Sequence, residues 1–168
     1  MQLYQATYAS PFGAITLESD GISITGLYFT THHDDRKIYL DKTVPPIICA
    51  MSWLDLYFSG HHPAISSVPL NPSGTSFQKE VWDRLCRIPY GETVTYGEIA
   101  SEIAAKRGLS KMSAQAVGQA VGANPISIII PCHRVIGSNG KLTGFSGGLE
   151  CKKWLLIHEY QYKKQDNT

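Results

Sequence analysis

The stretch Pro131-Cys132-His133-Arg134-Val135, directly after the apolar run Ile126-Ser127-Ile128-Ile129-Ile130, decides how this chain is interpreted. The apolar run predicts a buried strand that ends at a cysteine with an imidazole and a guanidinium beside it. A thiol with a pKa near ~8.5 is mostly protonated at neutral pH, and a neighbouring imidazole or cation makes the reactive thiolate available. A lone cysteine in an apolar segment is also a common small core residue. Both interpretations, core residue and nucleophile, follow from the stretch.

The alternation of side chains along a strand limits what this cysteine and histidine can do together. Consecutive strand residues point to opposite faces. Cys132 and His133 therefore share one site only if the strand ends by Pro131, or if a water bridges sulfur and imidazole.

Length and composition set the class of protein. The chain has 168 residues, of which 43% are hydrophobic, enough for one domain or two small ones. No apolar run is long enough to cross a membrane, and Met1 to Gln5 lacks the character of a signal peptide. We expect a cytoplasmic protein with no membrane partner.

The cysteines and histidines do not form a metal-ligand pattern. Cys49, Cys86, Cys132 and Cys151 include no CxxC pair, and a reducing compartment argues against disulfides. The pairs His32-His33 and His61-His62 are more typical of a solvated surface. We predict no metal site and no cofactor.

Charge is distributed unevenly although the net charge is only +1. Residues 1–70 contain three Lys or Arg against six Asp or Glu, whereas residues 71–168 contain twelve against eight. A polyanionic partner would therefore contact the second part, although a solvated mixed surface explains the same charges.

The first part of the chain reads as strands followed by a helix. Ser10 to Gly13 is a turn, and the alternating stretches 14–18 and 22–29 predict an antiparallel sheet. Pro45-Pro46 begins an apolar helix that Gly60 ends. Residues 61–75 are rich in Pro, Ser and Gly and read as a linker. We predict an N-terminal α/β domain over 1–72 and a second domain over 73–168.

The second part is mainly helical, so the whole is α/β in the α+β sense. Phe77, Val81 and Leu85 share one helix face. A second helix begins near Thr95 and runs to about Arg107, and a third spans 114–122, which together are consistent with a helix-turn-helix. The third helix is almost without side chains, because of either tight packing or close approach to a ligand or a nucleic-acid groove.

Several motifs, in order, resemble those of the O6-alkylguanine-DNA alkyltransferases, also called methylated-DNA–protein-cysteine methyltransferases. The densest lie in Ile88 to Glu92, Thr95 to Ala100, Ala123 to Val135, Gly144 to Leu149 and Trp154 to Glu159. The resemblance implies a small α/β part followed by a helical part that contains the helix-turn-helix and the cysteine. It also implies a single-turnover, suicidal reaction in which the alkyl group on guanine O6 moves to Cys132.

The resemblance assigns roles to the catalytic residues. Cys132 is the alkyl acceptor, His133 the base, and Glu159 the residue that orients it. Glu159 lies four residues after Leu155 on an apolar helix, so an exposed carboxylate at a helix end is the competing interpretation. Tyr96 resembles the tyrosine beside O6, or else is a core aromatic. The resemblance also implies that Asn124 makes a hydrogen bond across the turn and that Arg134 has a structural function, paired with a buried carboxylate. It further implies contacts with the base by Val135, Phe145 and Ser146.

The implied partner is double-stranded DNA bearing O6-alkylguanine, with O4-methylthymine as a second lesion. Base flipping is required because the alkyl group lies inside the stack. The resemblance implies that the third helix lies in the minor groove, which is only about 6 Å wide and which only small side chains enter closely. The residues implied in DNA contact are Thr95, Ala114, Gln115, Ala116 and Gly118. The protein would act as a monomer, with cooperativity on DNA left open.

Gln115 departs from the family pattern, because an arginine often holds this place on the recognition helix.

Three other functions compete with repair. An alkyltransferase-like protein recognises lesions without transfer but lacks the cysteine, which is present here. A helix-turn-helix regulator leaves Cys132, His133 and Glu159 unexplained. A thiol hydrolase would turn over an ester.

Overall fold

The alternation of apolar and polar residues in the first part of the chain forms a four-stranded sheet. The computed structural model describes residues 2–29 and 36–163, so His32-His33 lies outside the described residues. Strands β1 (Leu3–Ser10), β2 (Gly13–Ser19) and β3 (Ile24–Tyr28) pair antiparallel, as predicted. The turn between β1 and β2 ends at Gly13, whose φ of 104° suits glycine.

The fourth strand corrects the expectation of a purely antiparallel sheet. Strand β4 (Ile38–Leu40) pairs parallel with β1, giving the order β3-β2-β1-β4. With three residues, β4 is too short for its alternation to be recognised in the sequence.

Helix α1 (Pro45–Phe58) packs against this sheet and completes the first core. Proline at its start is tolerated because the first turn lacks backbone partners for its N–H groups. Its buried residues recur at helical spacing: Pro46, Ile47, Ala50, Trp53, Leu54 and Tyr57. Part of the predicted linker is bonded to the sheet, since Ile24 N donates to Pro69 O and Asn71 N donates to Ile24 O.

The second part forms helices α2 (Ser76–Leu85), α3 (Tyr96–Lys106), α4 (Ala114–Gly122) and α5 (Leu149–Lys163). Thr75 and Thr95 begin α2 and α3 as capping boxes, and Ser113 caps α4. α3 and α4 pack against each other, joined by residues 107–113, and form the predicted helix-turn-helix. Two short parallel strands, β5 (Val94–Thr95) and β6 (Val135–Ile136), complete this part.

The buried strand predicted over residues 126–130 is absent, and a turn stands in its place. Ile126 forms only an isolated bridge with Leu27, and Leu27 N donates to Pro125 O. Ile129 N donates to Ser127 O across Ile128, whose φ is 72°. A positive φ is strained for a β-branched residue. Short apolar runs indicate burial, and periodicity alone cannot tell a strand from a buried turn.

The described residues divide into two compact units. One comprises Met1–Ser73 with Pro125–Ile129, and the other comprises Gly74–Asn124 with Ile130–Thr168. The sequence predicted one boundary, between residues 72 and 73, and did not predict that Pro125–Ile129 clusters with the first unit.

Candidate active site

A short 3-10 helix positions the cysteine and its neighbours. It spans Cys132–Arg134, with Pro131 before it at φ −82° and ψ 64°. These angles form an inverse γ-turn in which Cys132 N donates to Ile130 O at 2.8 Å. The strand alternation that would separate Cys132 from His133 therefore does not apply here. All three side chains of the 3-10 helix are buried.

Glu159 on α5 holds this helix in place through both carboxylate oxygens. One oxygen, Oε2, pairs with His133 Nε2. The other, Oε1, accepts from Arg134 Nε at 2.7 Å and from Gly91 N at 3.0 Å. The structure thus brings together His133 and Glu159, which the sequence analysis paired, and identifies Glu159 as the buried carboxylate of Arg134.

Arg134 is buried and has several partners among the described residues. Besides Glu159, its Nη1 donates to Ile88 O at 2.7 Å, and its guanidinium lies 5.5 Å from the Tyr90 ring centroid. A buried arginine with these partners orders the turn after α2 as well as the carboxylate. These contacts agree with the structural pairing with a buried carboxylate that the resemblance implied for Arg134.

Burial and charge set opposite proton affinities in this group. Burial would raise the pKa of Glu159, yet His133 and Arg134 outweigh it and hold that pKa well below its usual range. Burial lowers the pKa of His133, and Glu159 opposes this only in part. At neutral pH the imidazole is therefore neutral beside an ionised carboxylate. If Nε2–H donates to Glu159, Nδ1 is the ring's acceptor nitrogen.

The cysteines differ in their environments. Cys132 is 6% exposed and lies within electrostatic reach of both Cys151 and Lys152. Burial raises the pKa of Cys86 to about 11 and that of Cys151 to about 12, so both remain thiols at neutral pH. Cys132 has an imidazole next to it in sequence and an ammonium group close by.

Lys152 is a buried residue of this site that the sequence analysis missed. It is 0% exposed, burial lowers its pKa, and its Nζ donates to Thr143 O at 2.7 Å. The signal was present in the sequence, because positions 152, 155 and 159 recur at i, i+3 and i+7 on one face of α5. A lysine on that face is as buried as Leu155 and Glu159.

Tyr96, the first residue of α3, lies beside the same lysine. The Lys152 Nζ is 5.9 Å from its ring centroid, and the Thr143 hydroxyl donates to its phenol oxygen at 3.0 Å. On α4, a Cβ at Gly118 would lie 3.7 Å from the ring. That distance is an ordinary van der Waals contact, so packing against Tyr96 does not by itself require a glycine at position 118.

The other predicted residues occupy distinct positions. Asn124 Nδ2 donates to Ile130 O at 2.9 Å, as the predicted hydrogen bond across the turn requires. Phe145 lies edge-on to His133, with ring centroids 6.5 Å apart, and is half-buried. Val135 is buried and pairs with Val94, whereas Ser146 is exposed.

The remaining residues predicted to contact DNA lie at the start of α3 and on α4. Thr95 uses its hydroxyl to cap α3, accepting from Glu98 N at 3.1 Å. Ala114 and Gln115 are exposed on α4 and Ala116 is half-buried, while Val117, Ala120 and Val121 face the core. Around these elements the sequence has no Asp or Glu between Glu102 and Glu150, a property suited to a polyanionic partner.

Two features of the described residues bear on other classes of function. Over 2–29 and 36–163, no cluster of three or more His, Cys, Asp and Glu residues has an arrangement that could bind a metal ion. None of the helices in the same residues combines the length and apolar character needed to cross a bilayer.

Fold and site together define a helix-turn-helix protein with a buried cysteine, histidine and glutamate. Residues 76–161 match the family described as 6-O-methylguanine DNA methyltransferase, DNA binding domain, and residues 3–72 match its ribonuclease-like domain. The chain belongs to the 6-O-methylguanine DNA methyltransferase family.

Individual relatives match over nearly the whole chain. A methylated-DNA–protein-cysteine methyltransferase of Haemophilus influenzae is 42% identical over 99% of this chain and 93% of its own. One of Methanosarcina mazei is 55% identical over 92% of this chain and 95% of its own. The crystal structure of Mycobacterium tuberculosis OGT in complex with DNA has a TM-score of 0.84 at 42% identity, covering 95% of this chain and 94% of that one.

Proposed function

We propose that this protein repairs DNA by moving the methyl group of O6-methylguanine to Cys132 in a single, irreversible turnover. The observation that supports this most directly is the buried group of Cys132, His133 and Glu159, in a chain whose relatives bear the name of that reaction. O4-methylthymine would be a second substrate. No cofactor takes part in the proposed chemistry.

The transfer is a displacement at an alkyl carbon. The neutral imidazole of His133 accepts the thiol proton, and ionised Glu159 stabilises the imidazolium that forms. The Cys132 sulfur then forms a bond to the methyl carbon while the bond from that carbon to O6 breaks, and the electron pair stays with the base. A proton from the Tyr96 phenol neutralises the departing oxygen. The Tyr96 phenolate that remains regains a proton from the His133 imidazolium through solvent, so that overall the thiol hydrogen replaces the methyl group on the base.

The ammonium group of Lys152 adds to this chemistry. Its charge lies close to Cys132 and favours the thiolate over the thiol, in the way that cations near reactive cysteines do. Arg134 acts through Glu159, by fixing the carboxylate that fixes the imidazole.

Mass spectrometry tests the proposal. After incubation with a duplex containing one O6-methylguanine, we expect one added methyl group on the peptide containing Cys132, and one lesion converted per molecule. Cys132→Ser should gain no methyl group. Cys151→Ser, which removes a neighbouring buried thiol, should still gain one.

The alternative, an alkyltransferase-like sensor, predicts a different result in the same experiment. It would bind the lesion duplex with no change in mass. Methylation of Cys151 or Cys86 instead of Cys132 would also contradict the proposal.

We further propose that residues 73–168 form the DNA-binding and alkyl-transfer domain, with residues 1–72 as the N-terminal domain. The protein would act as a monomer, with α4 in the minor groove and the target nucleotide flipped out of the stack. The exposed position of Ala114 and Gln115 and the absence of acidic residues from 103 to 149 support this.

The identity of residue 115 affects how readily we expect the target nucleotide to be flipped out of the duplex. A glutamine can donate hydrogen bonds to the orphaned base but adds no charge, so flipping should be weaker or more sensitive to salt than with arginine. We expect Gln115→Arg to raise duplex affinity and repair rate, measured by fluorescence anisotropy and single-turnover kinetics. Equal values for the two proteins would count against this account of Gln115.

A further inference from the structure

We propose that Thr143 is a positioning residue that aims the phenol proton of Tyr96 at the substrate oxygen. The inference rests on the proposed function, since it concerns the proton that neutralises the departing O6. Thr143 lies in the connection between the 3-10 helix Cys132–Arg134 and α5, far in sequence from α3.

The first observation is the hydrogen bond between the Thr143 and Tyr96 hydroxyls. The Thr143 hydroxyl donates to the Tyr96 phenol oxygen at 3.0 Å. A phenol has one proton to donate. In the arrangement we propose, the phenol oxygen accepts from Thr143, and its own proton is directed to another acceptor.

The second observation is the charge around the phenol. The Lys152 Nζ lies 5.9 Å from the Tyr96 ring centroid. A nearby cation stabilises negative charge that develops on the phenol oxygen, and a hydrogen bond accepted by that oxygen does the same. Chains of hydrogen bonds also polarise one another, by about 10–30% per bond. The ammonium group and the Thr143 hydroxyl are therefore both placed to oppose negative charge on the phenol oxygen while its proton is transferred.

The third observation is that Thr143 is itself fixed. Its carbonyl accepts from Lys152 Nζ at 2.7 Å, and Lys152 is fully buried. The β-branched side chain of threonine has a restricted χ1 angle. One residue thus ties the buried ammonium group to the phenol, through its carbonyl on one side and its hydroxyl on the other.

Variants at this position separate an aiming function from a purely steric one. Thr143→Val keeps the branched shape and removes the hydroxyl, and Thr143→Ser keeps the hydroxyl. General acid catalysis contributes about 10²–10⁴-fold, so loss of its alignment should slow transfer by about 10-fold. We expect that loss for the Val variant, near wild-type rates for the Ser variant, and unchanged duplex affinity for both.

A double-mutant cycle with Tyr96→Phe measures whether the effect of Thr143→Val depends on the phenol. Such dependence is expected if Thr143 aims the phenol proton, and it is not expected if Thr143 has only a structural function. If Thr143 acts through the phenol, Thr143→Val should slow transfer in the wild type and have no further effect in Tyr96→Phe. The control is Thr93→Val, at an exposed threonine of the same unit, which should leave the rate unchanged. Rates come from single-turnover conversion of an O6-methylguanine duplex between pH 6 and 9.

The outcomes are distinct. A wild-type protein that fails to transfer methyl contradicts the proposed function itself. Transfer in the wild type with an equal rate in Thr143→Val, or with the same loss in the Tyr96→Phe background, overturns the inference about Thr143. If Thr143→Val does not fold, as judged by circular dichroism, the comparison of Thr143→Ala with Thr143→Ser decides in the same way.

Discussion

At the scale of single residues, the carboxylate of Glu159 bonds to two side chains for which the sequence analysis had named partners separately. The sequence analysis predicted a carboxylate for His133 and a buried carboxylate for Arg134, and the structure uses one side chain for both. Adjacent residues on a strand would face opposite ways, whereas the 3-10 helix turns His133 and Arg134 toward the same glutamate.

This group predicts how stability depends on pH. The pKa values of Glu159 and His133 are both lower in the folded protein than in the unfolded chain, so the unfolded chain binds more protons. We expect stability to be fully present above about pH 6.5 and to fall below it as the unfolded His133 protonates, with a further loss below about pH 4.3 from Glu159. Urea denaturation between pH 3 and 8 measures this curve.

Glu159→Gln tests the cause of that curve. Removal of one partner from a buried ion pair costs about 3–5 kcal/mol. The loss of stability below about pH 4.3 should become shallower in the variant, whereas the loss that His133 causes below about pH 6.5 should remain. Glu92→Gln, which removes an exposed partner of Lys163, should change stability by no more than about 1 kcal/mol. Equal losses in the two variants would show that Glu159 does not hold the site together.

At the scale of elements, the start of α3 shows that one residue can be needed for structure where the family resemblance suggests DNA contact. Thr95 caps α3 and so fixes Tyr96, the next residue. The same capping box begins α2 at Thr75. The position of the phenol therefore depends on a helix terminus that the sequence pattern Thr-x-x-Glu encodes.

The cap predicts a measurable loss of stability. Thr95→Ala should lower the free energy of unfolding by about 1 kcal/mol, and Thr95→Ser should retain most of it. Thr75→Ala, at the equivalent cap of α2, is the matched comparison. Chemical denaturation gives the values. A Thr95→Ala variant that lost DNA affinity without any loss of stability would assign Thr95 to DNA contact alone.

The elements also show which parts of the structure can be predicted from sequence. Caps, glycines and helical spacing predicted α3 and α4, because these signals are local. The turn over residues 126–130 was wrongly predicted as a strand, since its conformation depends on bonds to Leu27 and on a positive φ that isoleucine avoids. The contacts of Thr143 with Tyr96 and Lys152 join distant parts of the chain, so no local pattern could show them.

At the scale of the whole molecule, charge is separated along the chain. The absence of acidic residues from 103 to 149 leaves Lys111 and Lys141 without carboxylates nearby in sequence, whereas Arg84 and Arg107 pair with Glu102 and Glu80. Basic side chains of this kind supply the salt-dependent part of DNA affinity through phosphate contacts.

Lys111, between α3 and α4, is where we expect such a contact. Lys111→Gln should weaken duplex binding to a similar degree for every sequence and reduce the salt slope of log affinity by about 1. Lys42→Gln, at an exposed lysine of the first unit, is the control and should leave the slope unchanged. Titrations by fluorescence anisotropy from low to physiological salt measure both slopes. An unchanged slope for Lys111→Gln would place the lysine outside the DNA contact.

The position of the segment Pro125–Ile129 limits how genes for this fold can recombine, as well as how the chain folds. It follows the helices of the second unit in the sequence, yet it belongs to the core of the first unit, where Ile126, Ile128 and Ile129 are fully buried. A recombination event near codon 73 would combine residues 1–73 from one parent gene with the segment Pro125–Ile129 from another. Such a chimaera should fold only if the incoming sheet can bond to a foreign Pro125 and cover three foreign isoleucines, so the two halves of this protein are expected to be inherited together.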